Sequence, residues 1–480
     1  MEIPAGDAPH AGVRVDTRGG PVRTVLRLAT PTMIAMLSQS VVNEVDIVFF
    51  GRLPCPESSN GQAALAPSLI ALWAFGGSLS AISVGTQALT ARRAAEGKRE
   101  DAGAVLTNAA TFALVAGAIF TLIGWLVLEP LMHKLVKNPE AAGYAVSYSR
   151  YRFLGIVSMA MTFAFKAFFD GLGQTRIHMV SALVMNAVNV VLCWLLIFGN
   201  LGAPRMGPSG AGLAALLATW VGLAIMIAYG GKRDYRVTYA WFDRRKLSWP
   251  ITWQILRLAI PGGVATIAVM GGFAFFLYVV GKLDAVSAHA TAAGACGHSE
   301  AVNGAATTAI IGILKLTFTA CLAFGTATAT LVGQSLGERD PDKAATFGWA
   351  SVRIGLLIFG LVGLAEGVLF TKPILAFITK SPAVQEAALL PLRMMGLTTP
   401  VIAVGMILTQ ALFGAGRSFF VMVVELILHF TCLMPLAYLF GITLGGGLPG
   451  IWASAIVYAV ALAAAMVWKF ARDDWKTTKI

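Results

Sequence analysis

Twelve apolar runs, each long enough to cross a bilayer, dictate what this chain can become. They fall at about 26–51, 64–91, 105–132, 142–169, 177–200, 208–230, 253–281, 301–336, 344–370, 384–413, 418–441 and 447–470. A spanning helix needs about 20 apolar residues. A membrane barrel would instead read as alternating segments of about ten residues, and none are present. Only helices and closed barrels satisfy their own backbone in lipid, so the runs predict an all-α integral membrane protein with twelve transmembrane helices. Composition agrees. Charged residues make up 12% of the chain and the mean hydropathy is +0.74, whereas soluble domains carry about 25% charge. That deficit excludes a cytosolic enzyme, a disordered protein and a nucleic-acid binder.

The formal net charge of +12 therefore belongs to the membrane flanks. With the N-terminus inside, one set of loops collects Arg14, Arg18, Arg23, Arg92, Arg93, Lys98, Arg99, the Lys232–Lys246 cluster and the terminal Lys469, Arg472, Lys476 and Lys479. The opposite loops hold chiefly Arg52, Lys134, Lys137, Arg205, Lys282, Lys372 and Lys380. The positive-inside bias then predicts that both termini are cytoplasmic. A polar start and an acid-bearing first run predict no cleaved signal peptide. Cys55, Cys193, Cys296, Cys321 and Cys432 form no CxxC spacing, so neither a disulfide framework nor a metal site is expected.

The chain also repeats itself. Arg27-Leu-Ala-Thr-Pro31 recurs as Arg257-Leu-Ala-Ile-Pro261, and Phe50-Gly51-Arg52-Leu53 as Val280-Gly281-Lys282-Leu283. Phe169-Asp-Gly171-Leu-Gly173 returns as Phe413-Gly414-Ala-Gly416, and Arg152-Phe-Leu-Gly155 as Arg393-Met-Met-Gly396. Six helices per half is an even number, so the repeats are parallel about an axis along the membrane normal, with a cavity between two bundles. The expected divisions are a tail at 1–24, an N-lobe at 25–231, a cytoplasmic linker at 232–250, a C-lobe at 251–470 and a tail at 471–480. About ten extra residues around Ala285–Ala305 form either an outer hairpin or a longer helix.

These strings, in order and duplicated, carry a resemblance to the multidrug and toxic compound extrusion (MATE) family from about Arg27 to Phe470. They are joined by Val45-Asp46, Gly85-Thr-Gln87, Gly171-Leu-Gly173-Gln-Thr175-Arg176 and Leu331-Val-Gly333-Gln334-x-Leu336-Gly337. The resemblance implies a V-shaped, monomeric antiporter of a bacterial inner or plasma membrane. It would expel amphipathic organic cations against inward protons, or less readily sodium ions, without cofactor, metal or nucleic acid. Its alternatives are an exporter of organic anions, with Lys315 as counter-charge, or a lipid-linked saccharide flippase whose cavity is lined by Lys166, Lys315 and Arg152.

Ionisable groups inside a span are functional candidates by default. Asp46 leads. Gln39, Asn43 and Asp46 share one helix face, and a lone acid there can carry a proton or, with carbonyl and amide oxygens, ligate sodium ion. At the repeat shift these positions become Val269, Phe273 and Phe276, so the acid belongs to the first half alone. Glu44 points elsewhere, toward an interface or rim. The family's fifth-span Asn and Asp correspond to Asn189 and Cys193, and its fourth-span Asn to Thr162. Its sixth-span Thr falls near Leu217, close to Thr219. A thiol in place of a carboxylate removes an oxygen ligand, which favours protons over sodium. The expected mechanism is competition, in which Asp46 takes up a proton as drug leaves and recovers its charge inside.

Glu425 and His429, one turn apart, form a second relay candidate or a structural hydrogen bond. Lys315 lies deep in the eighth run, with Glu366 or Glu425 as prospective partners. Lys166 and Asp170 read as an ion pair near the inner end, and Arg152 and Arg393 as structural. Phe163, Met159, Met161 and Met185 offer the soft surface that varied substrates need. Cys296-Gly-His298-Ser-Glu300 superficially matches a deaminase motif but lacks its second half. No HExxH, Walker A or GxSxG string is present, so an enzyme is not expected.

Overall fold

The structure, a computed structural model, describes residues 19–54, 57–136, 139–286, 291–293, 299–379 and 381–477. Ten of its helices are long and apolar enough to cross a membrane, and two bent pairs bring the number to twelve. In the first half, α1 (Gly20–Gly51) is followed by α2 (Glu57–Phe75), α3 (Ile82–Ala95), α4 (Arg99–Leu135), α5 (Pro139–Leu154), α6 (Ile156–Gly171), α7 (Thr175–Phe198) and α8 (Pro208–Gly230). The short α9 (Arg233–Tyr239) leads into the second half. There α10 (Trp249–Val286), α11 (Val302–Gly337), α12 (Pro341–Leu364), α13 (Thr371–Ile378), α14 (Pro382–Gly414), α15 (Ser418–Leu428), α16 (Met434–Tyr438) and α17 (Gly447–Ala471) complete the chain.

Two of the expected continuous spans are bent. The second breaks by 46° between α2 and the turn leading into α3, and the fourth by 45° between α5 and α6. At the first break the chain needs Gly77, because a Cβ there would strike the Trp73 ring. Gly155 occupies the second. Hydropathy is blind to such breaks, since glycine hardly interrupts an apolar run. The repeated prolines, Pro31 and Pro261, sit inside α1 and α10. Each removes one helical amide donor, which membrane helices tolerate when neighbours pack around the kink.

The described residues between α10 and α11 form two short strands and do not lengthen either helix. Strand β1 (Thr291–Ala293) pairs antiparallel with β2 (Ser299–Ala301), Thr291 opposite Ala301. Asp284 then caps α11 by accepting from the Asn303 and Gly304 amides at 3.0 and 2.8 Å. Cys296 and His298 lie outside the described residues, as does the Glu300 side chain.

The segment between the halves is packed, not merely solvated. Trp241 Nε1 donates to Gly230 O at 2.7 Å, and Asn108 on α4 holds Lys246 O and the Ser248 amide at 2.9 Å each. The last described turn also folds back. Trp475 is fully buried, stacks on Phe470 at 4.5 Å and donates to its carbonyl.

Near the starts of α1 and α10 the cores are shared. Val25, Leu28 and Ala29 of α1 pack with Leu331, Val332 and Leu336 of α11, and Ile255 and Leu258 of α10 join the core of α2–α6. Towards the ends of those same helices each half keeps its own core, around Phe50, Tyr148 and Ile197 in one and Phe276, Val280 and Trp452 in the other. The halves therefore meet at one end and part at the other.

Candidate functional site

Asp46 sits one turn before the end of α1 and is buried. The Tyr148 hydroxyl, from α5, donates to its Oδ2 at 3.3 Å, and the Cys193 thiol, from α7, to its Oδ1 at 3.6 Å. Cys193 Sγ also lies 3.7 Å from Asn189 Oδ1. A thiol has one proton, so it serves the carboxylate or the amide, not both together. Arg152, one turn along α5, places its guanidinium over the Tyr148 ring at 5.8 Å, and its charge reaches Asp46. Phe50 packs edge-on to the Tyr148 ring. The acid is thus enclosed within the first half.

Sequence reasoning missed Tyr148 and Asn186. Asn186 donates to Ser38 Oγ at 2.8 Å, tying α7 to α1 two turns from Asp46. The available signals were Tyr148 one turn before Arg152 and Asn186 one turn before Asn189.

The remaining candidates divide. Asn43 and Glu44 have side chains outside the described residues. Gln39 shares Asp46's helix face yet is exposed. Thr162 donates back to Ser158 O, its hydroxyl spent on its own helix, and Ser158 donates to Thr219 on α8.

A cavity of about 430 Å³ lies between the halves, within the range of drug-sized sites. Trp73, Phe163, Val269, Phe413 and Met406 give it apolar walls, and Gln87, Gln410 and Thr409 are among its polar groups. Three charged residues line it: Lys166, Asp170 and Glu425. Asp46 is not among the residues that line it. Phe163 is on the wall, but the methionines are packing residues. Met159 abuts Gly76, Met161 joins the core beside α4, and Met185 fills the space over Gly222.

His429 does not pair with the Glu425 carboxylate. It begins a wide π turn, and its Nδ1 sits 2.7 Å from the Glu425 backbone oxygen, which also accepts from the His429 amide. Its ring packs on Tyr458 at 4.6 Å. Glu366 accepts from Thr317 at 2.6 Å, and Lys315 is half-buried two residues earlier on α11. Among the described residues no group of three or more His, Cys, Asp or Glu side chains is placed to hold a metal ion.

Below the cavity the halves are tied by hydrogen bonds. Gln87 Nε2 donates to Thr326 O and Thr330 Oγ1, both at 2.9 Å. Thr330 Oγ1 donates to Asp170 O and Gln334 Nε2 to Gly171 O, again at 2.9 Å. Gly333 permits this approach, since a Cβ there would lie 3.1 Å from Ala91 Cβ and 3.3 Å from Gly414 O. Higher up, Ser40 and Thr319 hydroxyls meet at 3.1 Å.

A family model described as MatE matches residues 31–195 and 286–439, on both sides of the linker. The chain belongs to the MatE family. MatE proteins are membrane transporters, and this one is a multi-span helical member of the multidrug efflux group. It is 27% identical to the "Probable multidrug resistance protein NorM" of Caulobacter vibrioides, covering 98% of this chain and 97% of that one. The Thermotoga maritima protein of the same name is 24% identical over 95% and 93%. Multidrug resistance protein PmpM of Pseudomonas aeruginosa is 26% identical over 76% and 72%. The fold matches that of a MOP superfamily transporter from Pyrococcus furiosus, with a TM-score of 0.85, 22% identity and coverage of 98% and 99%. An outward-facing multidrug resistance MATE family transporter of the MOP superfamily matches with a TM-score of 0.85, 21% identity and the same coverage.

Proposed function

We propose that this MatE transporter is a monomeric, cofactor-free antiporter that exports amphipathic organic cations in exchange for inward protons, with Asp46 as a proton carrier. The observation that carries the reading is the environment of Asp46: a buried carboxylate whose two partners among the described residues, Tyr148 and Cys193, are both donors. Donors suit a group that alternates between charged and neutral. A sodium ion wants several oxygen ligands, and a thiol stands where the family resemblance implies a second carboxylate.

Protonation of Asp46 removes the negative charge that strengthens its bond from the Cys193 thiol, which then turns to Asn189 Oδ1 on its own helix. That loosens the grip of α7 on α1. Helix α1 carries Met36 on the cavity wall, Ser40 at the contact with α11, and Asp46. Met36 and Asp46 are about 15 Å apart along the axis at 1.5 Å per residue, so one element connects cargo space, seam and proton site. The moving bodies are residues 25–231 and 251–470, strapped by 232–250, with both termini cytoplasmic. Two carboxylates against one ammonium in the cavity favour cationic cargo over the anionic alternatives.

Everted vesicles loaded under separate proton and sodium gradients test the reading. Ethidium accumulation should follow the proton gradient and ignore sodium. Asp46→Asn should abolish it at unchanged expression. Sodium-driven accumulation, or proton-driven export by the variant, would overturn the proposal.

A further inference from the structure

We infer that Asp170, with His178 behind it and Lys166 beside it, forms a second proton-binding site in the floor of the central cavity, set directly on the seam between the halves. The inference rests on the proton-coupled reading above, and extends it to a group that the first-helix carboxylate cannot replace.

Asp170 ends α6 on the cavity floor and is only 1% exposed. Among the described residues neither of its carboxylate oxygens has a hydrogen-bond partner. A bare carboxylate in a membrane interior is costly, so this one needs either a proton or a donor. Among the described residues, one titratable ring nitrogen stands within 4 Å of it. His178 Nδ1, on α7, lies 3.7 Å from Asp170 Oδ2 and is itself without a hydrogen bond. That separation is too long for a bond, and a shift of roughly 1 Å would close it.

Once closed, the pair can hold one proton in two places. A neutral carboxyl donates O–H to the imidazole Nδ1. If the proton crosses, the O–H bond breaks, an N–H bond forms, and a carboxylate faces an imidazolium. Either form satisfies Asp170 Oδ2 and His178 Nδ1, two of the three orphaned atoms. Before the proton arrives, the carboxylate is open to a cation in the cavity.

The charges facing this pair are few. Lys166, one turn back on α6, acts on both members, and its ammonium lies 4.0 Å from Met36 Sδ. Helix α3 faces the end of α6 with Gln87, Thr90 and Ala91, and α11 faces it with Thr330 and Gln334, all uncharged. Helix α8 carries no charged residue, α4 carries them only near its ends, and α9 meets α6 through Tyr235 and Tyr239. Glu425 lines the same cavity from the other half.

Position gives the site its leverage. The carbonyls of Asp170 and Gly171 receive the Thr330 and Gln334 bonds that close the seam. Gain or loss of charge at Asp170 therefore occurs beside the contacts that must part for the transporter to open the other way. A cargo cation and a proton compete here, in contact with the cavity, while Asp46 answers to the outer part of the first half.

Full-length protein in lipid nanodiscs, weakly buffered, would be titrated with ethidium while a pH dye counts protons released. Wild type should release more protons per bound ethidium than Asp170→Asn or Asp46→Asn. For each proton exchanged, the Kd for ethidium should weaken about tenfold per unit of acidification. Asp170→Asn should lower that slope, while keeping the carbonyl that Thr330 uses. In the wild-type protein, which needs no substitution to fold, the nitrogen resonance of His178 should move over the same pH range. Proton release by Asp170→Asn equal to wild type, or a His178 resonance that stays flat, would overturn this inference while leaving proton coupling through Asp46 intact. A wild-type protein that releases no protons would overturn both.

Discussion

At the scale of single residues, a buried acid is defined by the donors that neighbouring helices bring to it. Asp46 announces itself in the sequence because a carboxylate inside an apolar run is expensive. Tyr148 does not, since a tyrosine near a span end is ordinary, and only the packing of α5 on α1 gives it a role. Hydrogen bonds to charged groups are worth about 1.5–3 kcal/mol. Tyr148→Phe should therefore cut proton-driven ethidium export by roughly ten- to a hundredfold, with the protein still inserted and monodisperse. Unchanged export would show that the Cys193 thiol alone suffices. Gln39 and the three methionines teach the converse lesson. Helical periodicity tells which way a side chain points, and says nothing about whether another element covers it.

At the scale of elements, the twelve runs were legible because lipid leaves a chain so few options. The two bends were not legible, nor was the π turn at His429, because both arise from backbone packing that hydropathy does not register. The returning tail was also unreadable, its short polar sequence giving no hint of burial. Here the Lys469 ammonium, 2.5 Å from Asp474, holds that carboxyl below its ordinary range. The ion pair accordingly persists at neutral pH and is lost only on acidification through that lowered value. Trp475 is the clasp's anchor. Its replacement by Ala should cost about 3–5 kcal/mol and lower the thermal unfolding temperature in detergent, whereas Lys476→Ala, which loses only ion pairs to the exposed Asp342 and Asp473 carboxylates, should change it little.

At the scale of the whole molecule, the duplicated strings foretold two related bundles, and the asymmetry between them foretold where an acid would sit. What no single sequence could give was the contact between the halves, because each partner there lies more than a hundred residues from the other. Each seam hydrogen bond contributes about 1 kcal/mol. Gln87→Ala with Gln334→Ala should move the balance towards the opposite-facing state by more than tenfold. Spin-label distances across the seam would report this as a new, longer population, and an unaltered distribution would show that apolar packing alone holds the halves together.

The seam also has a one-sided grammar. Gln87, Thr330 and Gln334 aim their side chains at main-chain oxygens of Thr326, Asp170 and Gly171. Substitution can delete an amide or a hydroxyl, but every amino acid brings its own carbonyl. Thr326 can change identity and keep its receiving oxygen, whereas Gly171, where a Cβ would lie 2.9 Å from Gln87 O, and the three giving positions cannot. A lineage under changing chemical attack could thus vary the cavity wall above the seam and still close the door behind each expelled molecule.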